Sequence, residues 1–109
     1  MKRFCFALDL HDDPEMIIEY DNWHARVSDE IKESITSTGI VAMDIYRIGN
    51  RMFMIVDAHD TFSLEEKSKK DAANPSVQQW EKLMWKFQKP LPFAKEGEKW
   101  MLMKQIFGL

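Results

Sequence analysis

The chain has 109 residues, enough for a single domain spanning residues 1–109, and its 45% hydrophobic and 30% charged residues are typical of a globular protein. A formal net charge of −3 gives no basic footprint and so argues against a nucleic-acid partner. The single cysteine, Cys5, excludes an internal disulfide, and with no signal-peptide pattern and no apolar run long enough to span a membrane, we expect a cytoplasmic protein without a membrane partner.

The first part of the chain predicts a strand followed by one long helix. Apolar and polar residues alternate through residues 2–10, which is typical of a strand. The acidic pair before Pro14 predicts a helix start, with a cap and a proline in the first turn. Apolar or aromatic side chains then recur at helical spacing until Gly39, which should end the helix. These positions are Tyr20, His24, Val27, Ile31 and Ile35.

The rest of the chain predicts a hairpin, two shorter helices and a last strand. Gly49-Asn50 is a two-residue hairpin signal between two apolar stretches. A capping-box pattern begins the next helix, and an Asn-Pro pair ends it and begins another. The predicted elements are strands at residues 40–48, 51–57 and 99–107, and helices that begin near Ser63 and Pro75.

The order of elements is βαββαβ, which predicts an α+β fold of the ferredoxin-like class. Four antiparallel strands with helices on one face leave the other face bare. The third and fourth strands are nevertheless apolar on both faces, so something must cover the open one. A second copy of the chain is the simplest cover. We therefore expect a homodimer packed sheet to sheet, the arrangement called a dimeric α/β barrel.

Tyr20 and His24 are the most informative pair in the chain. Four residues apart on a helix, they lie on one face, one turn apart. A phenol beside an imidazole can hold a hydroxylated ligand and move a proton, since the unperturbed pKa of histidine lies near neutrality. The alternative is that both belong to the apolar seam of the helix. The same two readings apply to Trp80, which either stacks on a flat ligand face or packs in the core.

Other kinds of site find less support. His11, His24 and His59 are scattered and lack metal-ligand spacing, and four glycines make no phosphate-binding loop, so we expect neither a metal nor a cofactor. Asp9 lies in an otherwise apolar strand. It is either solvated near the strand end or a buried carboxylate that needs a partner.

Short motifs spread over the chain resemble the L-rhamnose mutarotase family. They are Glu19-Tyr20 followed by His24, Ile45-Tyr46 and Gln79-Trp80, within a resemblance that runs from Phe4 to Phe107. The resemblance implies a dimeric α/β barrel that interconverts the anomers of a 6-deoxy-L-sugar without a cofactor. It also implies proton donation by His24 and sugar contacts from Tyr20 and Trp80.

Two positions depart from the rhamnose-specific pattern. Met43 stands where the family has a sugar-contacting tyrosine, with Tyr46 following, and Glu81 replaces the second tryptophan of a tandem pair. The expected sugar is therefore L-rhamnose or L-fucose. Met43, Tyr46, Glu81 and Asp9 are the further candidate contacts, and the general base is left open among Tyr20, a carboxylate such as Asp9, and water.

Two other functions remain as alternatives. The same fold hosts small oxygenases and haem-degrading enzymes with pockets lined by histidine and tryptophan, and fold alone does not decide function. A non-catalytic module that binds a metabolite between two copies is the second alternative.

Overall fold

A computed structural model describes all of residues 1–109 and contains five strands and four helices. The strands are β1 (Lys2–Leu10), β2 (Ile40–Ile48), β3 (Arg51–Ala58), β4 (Gln88–Lys89) and β5 (Met101–Leu102). The helices are α1 (Pro14–His24), α2 (Asp29–Thr36), α3 (Leu64–Ala72) and α4 (Pro75–Trp85).

The five strands form one antiparallel sheet with the order β2-β3-β1-β4, and β5 pairs with β1. This is the strand order of a ferredoxin-like domain, so the predicted fold class is confirmed. The hairpin between β2 and β3 turns at Gly49, whose φ of 57° lies in the left-handed region that glycine adopts without strain.

The helices cover one face of the sheet and form the core there. Every second residue of β1 points to this face, and Leu8 and Leu10 are almost wholly buried. They pack with α1 and with the end of α4 in one cluster: Leu8, Leu10, Tyr20, Met52, Met84 and Phe87. A second cluster packs against Ile35 of α2: Ile40, Val56, Ala58 and Phe62. No helix is long and apolar enough to cross a membrane.

The single long helix predicted after β1 is wrong, because the chain forms two helices there. α1 ends at His24, and α2 begins after Ser28, whose hydroxyl accepts a hydrogen bond from the Ile31 amide at 3.4 Å. The apolar spacing runs through the break and so conceals it. Ser28 supplies a new N-cap, which offsets the loss of helical hydrogen bonds at the break.

The long last strand predicted at residues 99–107 is also wrong. Only Met101–Leu102 pair with β1, and one more ladder hydrogen bond joins the Met103 amide to the Cys5 carbonyl at 2.7 Å. Beyond this point the chain leaves the sheet, and Ile106 and Phe107 are 90% and 77% exposed. The alternating apolar pattern therefore marks a segment without a partner in its own protomer.

Candidate functional site

A cavity of about 580 Å³ opens between the sheet and the helices, alongside α4. Its floor is the helix-facing side of β2 and β3, and its walls come from α1, α2, α3, α4 and the β5 end of the chain. Apolar side chains make up most of the lining, which is typical of a small-molecule site with a few polar groups. The lining includes the predicted residues Tyr20, His24, Met43, Trp80 and Glu81.

His24 lies at the end of α1 with its ring fixed in one orientation. Its Nδ1 is 2.9 Å from the backbone carbonyl oxygen of Tyr20. A carbonyl only accepts hydrogen bonds, so Nδ1 must carry the proton in this contact. The ring also lies 4.4 Å from the Tyr20 ring and 5.5 Å from the Trp80 ring, edge to face with the latter. Nε2 is therefore the nitrogen left to exchange a proton with a ligand.

Tyr20 is buried, and its hydroxyl is held by a hydrogen bond. Its side chain is 3% exposed, and its hydroxyl accepts a hydrogen bond from Nε2 of buried Gln88 at 3.1 Å. Burial raises the pKa of the Tyr20 phenol to about 12, and the bond from Gln88 opposes that rise only in part. The phenol therefore stays protonated near neutral pH. Because the phenol oxygen accepts the bond from Gln88, the Tyr20 O–H remains free to donate a hydrogen bond to another group.

α4 supplies the facing wall of the cavity. Trp80 is half-buried and lies one helical turn before Met84, which is in the core. Trp80 therefore combines the two roles considered from the sequence, because it packs against the core cluster and also lines the cavity. Glu81, half-buried beside it, contacts Gln78 at 3.3 Å, and Met43 contributes an apolar wall from the edge strand β2.

Two predicted contacts lie away from this cavity. Tyr46 is 60% exposed on the opposite face of the sheet, where it pairs across the ladder with Phe53. Asp9 faces the same way and accepts two hydrogen bonds from Arg51, at 2.7 and 3.0 Å. Asp9 is thus a buried carboxylate with a partner, and within one protomer it does not reach His24.

Sequence reasoning missed several residues of the cavity. The sequence patterns indicate neither Gln88 nor the inward orientation of Lys67 and Asp71 on α3, although all three residues line the cavity. Trp100, next to β5, also lines it. Helical spacing marks Lys67 and Asp71 as neighbours, but only the packing of α3 against α4 shows which way they face.

No group of three or more His, Cys, Asp or Glu side chains is placed to hold a metal ion. The polar groups of the cavity are instead an imidazole, a phenol, an amide, a hydroxyl, carboxylates and ammonium groups. Such a set can exchange protons with hydroxylated ligands and hydrogen-bond to them.

Comparison with known proteins gives a consistent result. The family model described as L-rhamnose mutarotase matches residues 3–109. A curated L-fucose mutarotase from Xanthomonas campestris is 40% identical over 111 residues, covering 100% of this chain and 89% of the relative. A UPF0734 protein from Dictyostelium discoideum is 34% identical, covering 99% of this chain and 90% of its own length.

Solved structures agree on the fold. An L-rhamnose mutarotase from Formosa agariphila superposes with a TM-score of 0.73 at 16% identity, covering 100% of this chain and 99% of the other. A tetracenomycin F2 cyclase from Streptomyces glaucescens gives a TM-score of 0.65 at 14% identity, covering 100% and 97%. At these identities the likeness concerns the fold, whereas the family match covers nearly the whole sequence. The resemblance inferred from the sequence is confirmed, and the chain belongs to the L-rhamnose mutarotase family.

Proposed function

We propose that this chain is a mutarotase, an isomerase that interconverts the α and β anomers of a 6-deoxy-L-hexose, with L-fucose or L-rhamnose as substrate. The observation that carries the proposal is the juxtaposition of His24, Tyr20 and Trp80 in the lining of an apolar cavity, in a chain of this family. The 40% identity to an L-fucose mutarotase supports L-fucose as the first sugar to test.

The reaction requires two proton transfers and no redox step. An acid delivers a proton to the ring oxygen while a base removes the proton from the hydroxyl on carbon one. The bond between carbon one and the ring oxygen breaks, and a carbonyl forms at carbon one. Rotation about the bond between carbons one and two, followed by closure on the other face, gives the second anomer. Closure returns both protons, so acid and base are regenerated.

We assign the acid to His24. Its Nδ1 proton is committed to the Tyr20 carbonyl, so the imidazolium form presents Nε2–H to the sugar. Trp80, which meets the His24 ring edge to face, offers an apolar ring for the C–H face of the pyranose. The Tyr20 hydroxyl, held by Gln88, donates a hydrogen bond to a sugar oxygen. The three side chains together fix the anomeric carbon beside Nε2.

We assign the base to Glu81. Tyr20 is unsuited, because its raised pKa keeps the phenol protonated, and Asp9 lies across the sheet in a pair with Arg51. Of the two carboxylates that line the cavity, Asp71 is paired with Lys67, whereas Glu81 makes no ion pair. Glu81→Gln keeps the shape of the side chain and removes its basicity, so it should lower kcat with little change in KM.

We also propose that the protein works as a homodimer through the open face of the sheet. Phe53 and Ile55 are only half-buried there, and Tyr46 and Ile48 are exposed. The apolar tail beyond β5 adds further uncovered surface. Covering this face would bury more than about 1,000 Å², the area expected of a stable interface. A monomer at micromolar concentration in analytical ultracentrifugation would contradict this.

We propose a cytoplasmic location, because the cytoplasm keeps thiols reduced and Cys5, the single cysteine, is a free thiol. Cell fractionation followed by immunoblotting tests this location. Recovery in an extracytoplasmic fraction would contradict the proposal.

Saturation-transfer NMR tests the activity itself. Irradiating the anomeric proton of one anomer should transfer saturation to the other when the protein is present, with L-fucose or with L-rhamnose. A protein heated past unfolding is the control for buffer-catalysed exchange. Exchange no faster than in this control for both sugars would refute the mutarotase and favour a non-catalytic binding module.

A further inference from the structure

α3 turns a charged surface, rather than an apolar one, toward the interior of the protein. None of its residues is buried, and its two inward-facing side chains are Lys67 and Asp71. Their Nζ and Oδ2 atoms lie 2.6 Å apart, and the side chains are only 18% and 17% exposed. A helix that packs for stability alone places apolar residues on its inner face. The exception here lies where α3 borders the cavity.

The same helix provides a comparison with an ordinary surface pair. Glu65 and Lys69 have the same spacing of four residues, but they are 81% and 71% exposed and 3.6 Å apart. A solvated pair of this kind contributes little to stability. Partial burial of Lys67 and Asp71 carries a desolvation cost that a purely structural pair would avoid by facing outward. The inward orientation therefore calls for a ligand that uses the charges.

The ion pair also retains free hydrogen-bonding capacity. Lys67 uses one Nζ proton for Asp71, and no other protein group bonds to Nζ or to Oδ1 of Asp71. The pair thus offers donors and an acceptor side by side toward the cavity. Neighbouring sugar hydroxyls, each both donor and acceptor, match this arrangement.

The pair and His24 border the same cavity along α4. The Asp71 backbone carbonyl accepts a hydrogen bond from Gln78 at 2.8 Å, and the His24 ring meets the ring of Trp80, two residues further along that helix. A pyranose whose anomeric carbon is at His24 would direct other hydroxyls toward α3.

We propose that Lys67 and Asp71 bind sugar hydroxyls other than the one on the anomeric carbon and so determine which 6-deoxy-L-hexose is accepted. The inference rests on the proposed mutarotase function and deepens it. L-Fucose and L-rhamnose differ in configuration at carbons two and four, so a polar pair that binds these hydroxyls distinguishes the two sugars. Neither residue takes part in proton transfer.

The test compares two double variants of α3 that carry the same replacement residues. Lys67→Met with Asp71→Leu removes the inward pair, and Lys69→Met with Glu65→Leu removes the outward one. Anomer exchange is measured for both sugars over a range of concentrations. The inward variant should raise KM for the preferred sugar by about 10- to 100-fold, with kcat changed only a few-fold, and should reduce the preference between sugars. The outward variant should match the wild type.

Three results would overturn the inference: an unchanged KM in the inward variant, an equal rise in both variants, or an unchanged preference between sugars. The single variant Asp71→Asn keeps the shape of the side chain and is measured too, so that a double variant that fails to fold does not end the test. Wild-type exchange is the reference in each case. If it is absent for both sugars, the proposed function itself fails, and that outcome is distinct from a wild type that is active but insensitive to the pair.

Discussion

Removing the Tyr20 hydroxyl should destabilise the protein through Gln88. Tyr20 and Gln88 are 3% and 6% exposed, and the 3.1 Å bond between them is the one hydrogen bond that either side chain makes within the protein. Tyr20→Phe leaves the Gln88 amide with an unpaired donor in the core. Such a donor costs about 1–3 kcal/mol, a sizeable share of the roughly 5–15 kcal/mol that stabilises an ordinary domain.

A double-mutant cycle separates this cost from general damage to the core. Gln88→Met replaces the amide by an apolar side chain of similar length, so Tyr20→Phe combined with Gln88→Met should recover most of the lost stability. The assay is urea unfolding at one fixed protein concentration, because the proposed dimer would gain stability by mass action. A neutral Tyr20→Phe, or a double variant no more stable than Tyr20→Phe alone, would refute the reasoning.

Three further predictions follow from the same geometry. Trp80→Ala should weaken sugar binding at least tenfold per folded molecule while lowering stability by less than the roughly 3–5 kcal/mol of a core tryptophan; calorimetry with unchanged affinity and a large drop in Tm would contradict this. Because the pKa of Tyr20 is raised from 10.0 to about 12, folding stability that is complete below pH 10 should fall by roughly 2–3 kcal/mol as the pH rises to 12; Tyr20→Phe should flatten that fall in pH-dependent urea unfolding. Asp9→Asn should lower Tm but leave exchange per folded molecule within a few-fold, and a catalytic collapse at unchanged Tm would restore Asp9 as the base.

The fold could be predicted because its signals are local. Alternation along β1, the Gly49 turn and the cap at Ser63 each act over a few residues, and the structure has all of them. The break between α1 and α2 was not predicted, because the unbroken apolar spacing is a stronger signal for one helix than a single serine is for a new N-cap. The last strand was overextended because apolar alternation does not reveal whether a neighbouring strand is available.

The site was predictable where sequence neighbours form it. Tyr20 and His24 meet because they lie one helical turn apart, and their rings are 4.4 Å apart. Tyr46 was assigned to the same site as Met43, although three residues along a strand place side chains on opposite faces. The sequence alone is enough to show that conflict. It does not show that Gln88 belongs to the site, because the bond to Tyr20 joins residues 68 positions apart that only tertiary packing brings together.

If His24 transfers the proton that opens the sugar ring, its loss should slow anomer exchange. The rate of anomer exchange at saturating sugar is compared for the wild type, His24→Asn and the control His59→Asn, which changes an exposed histidine that does not line the cavity. All three are measured at matched folded concentration. We expect a loss of about 100-fold or more for His24→Asn, with sugar binding partly retained and His59→Asn unaffected. Exchange by His24→Asn within a few-fold of the wild type would contradict it.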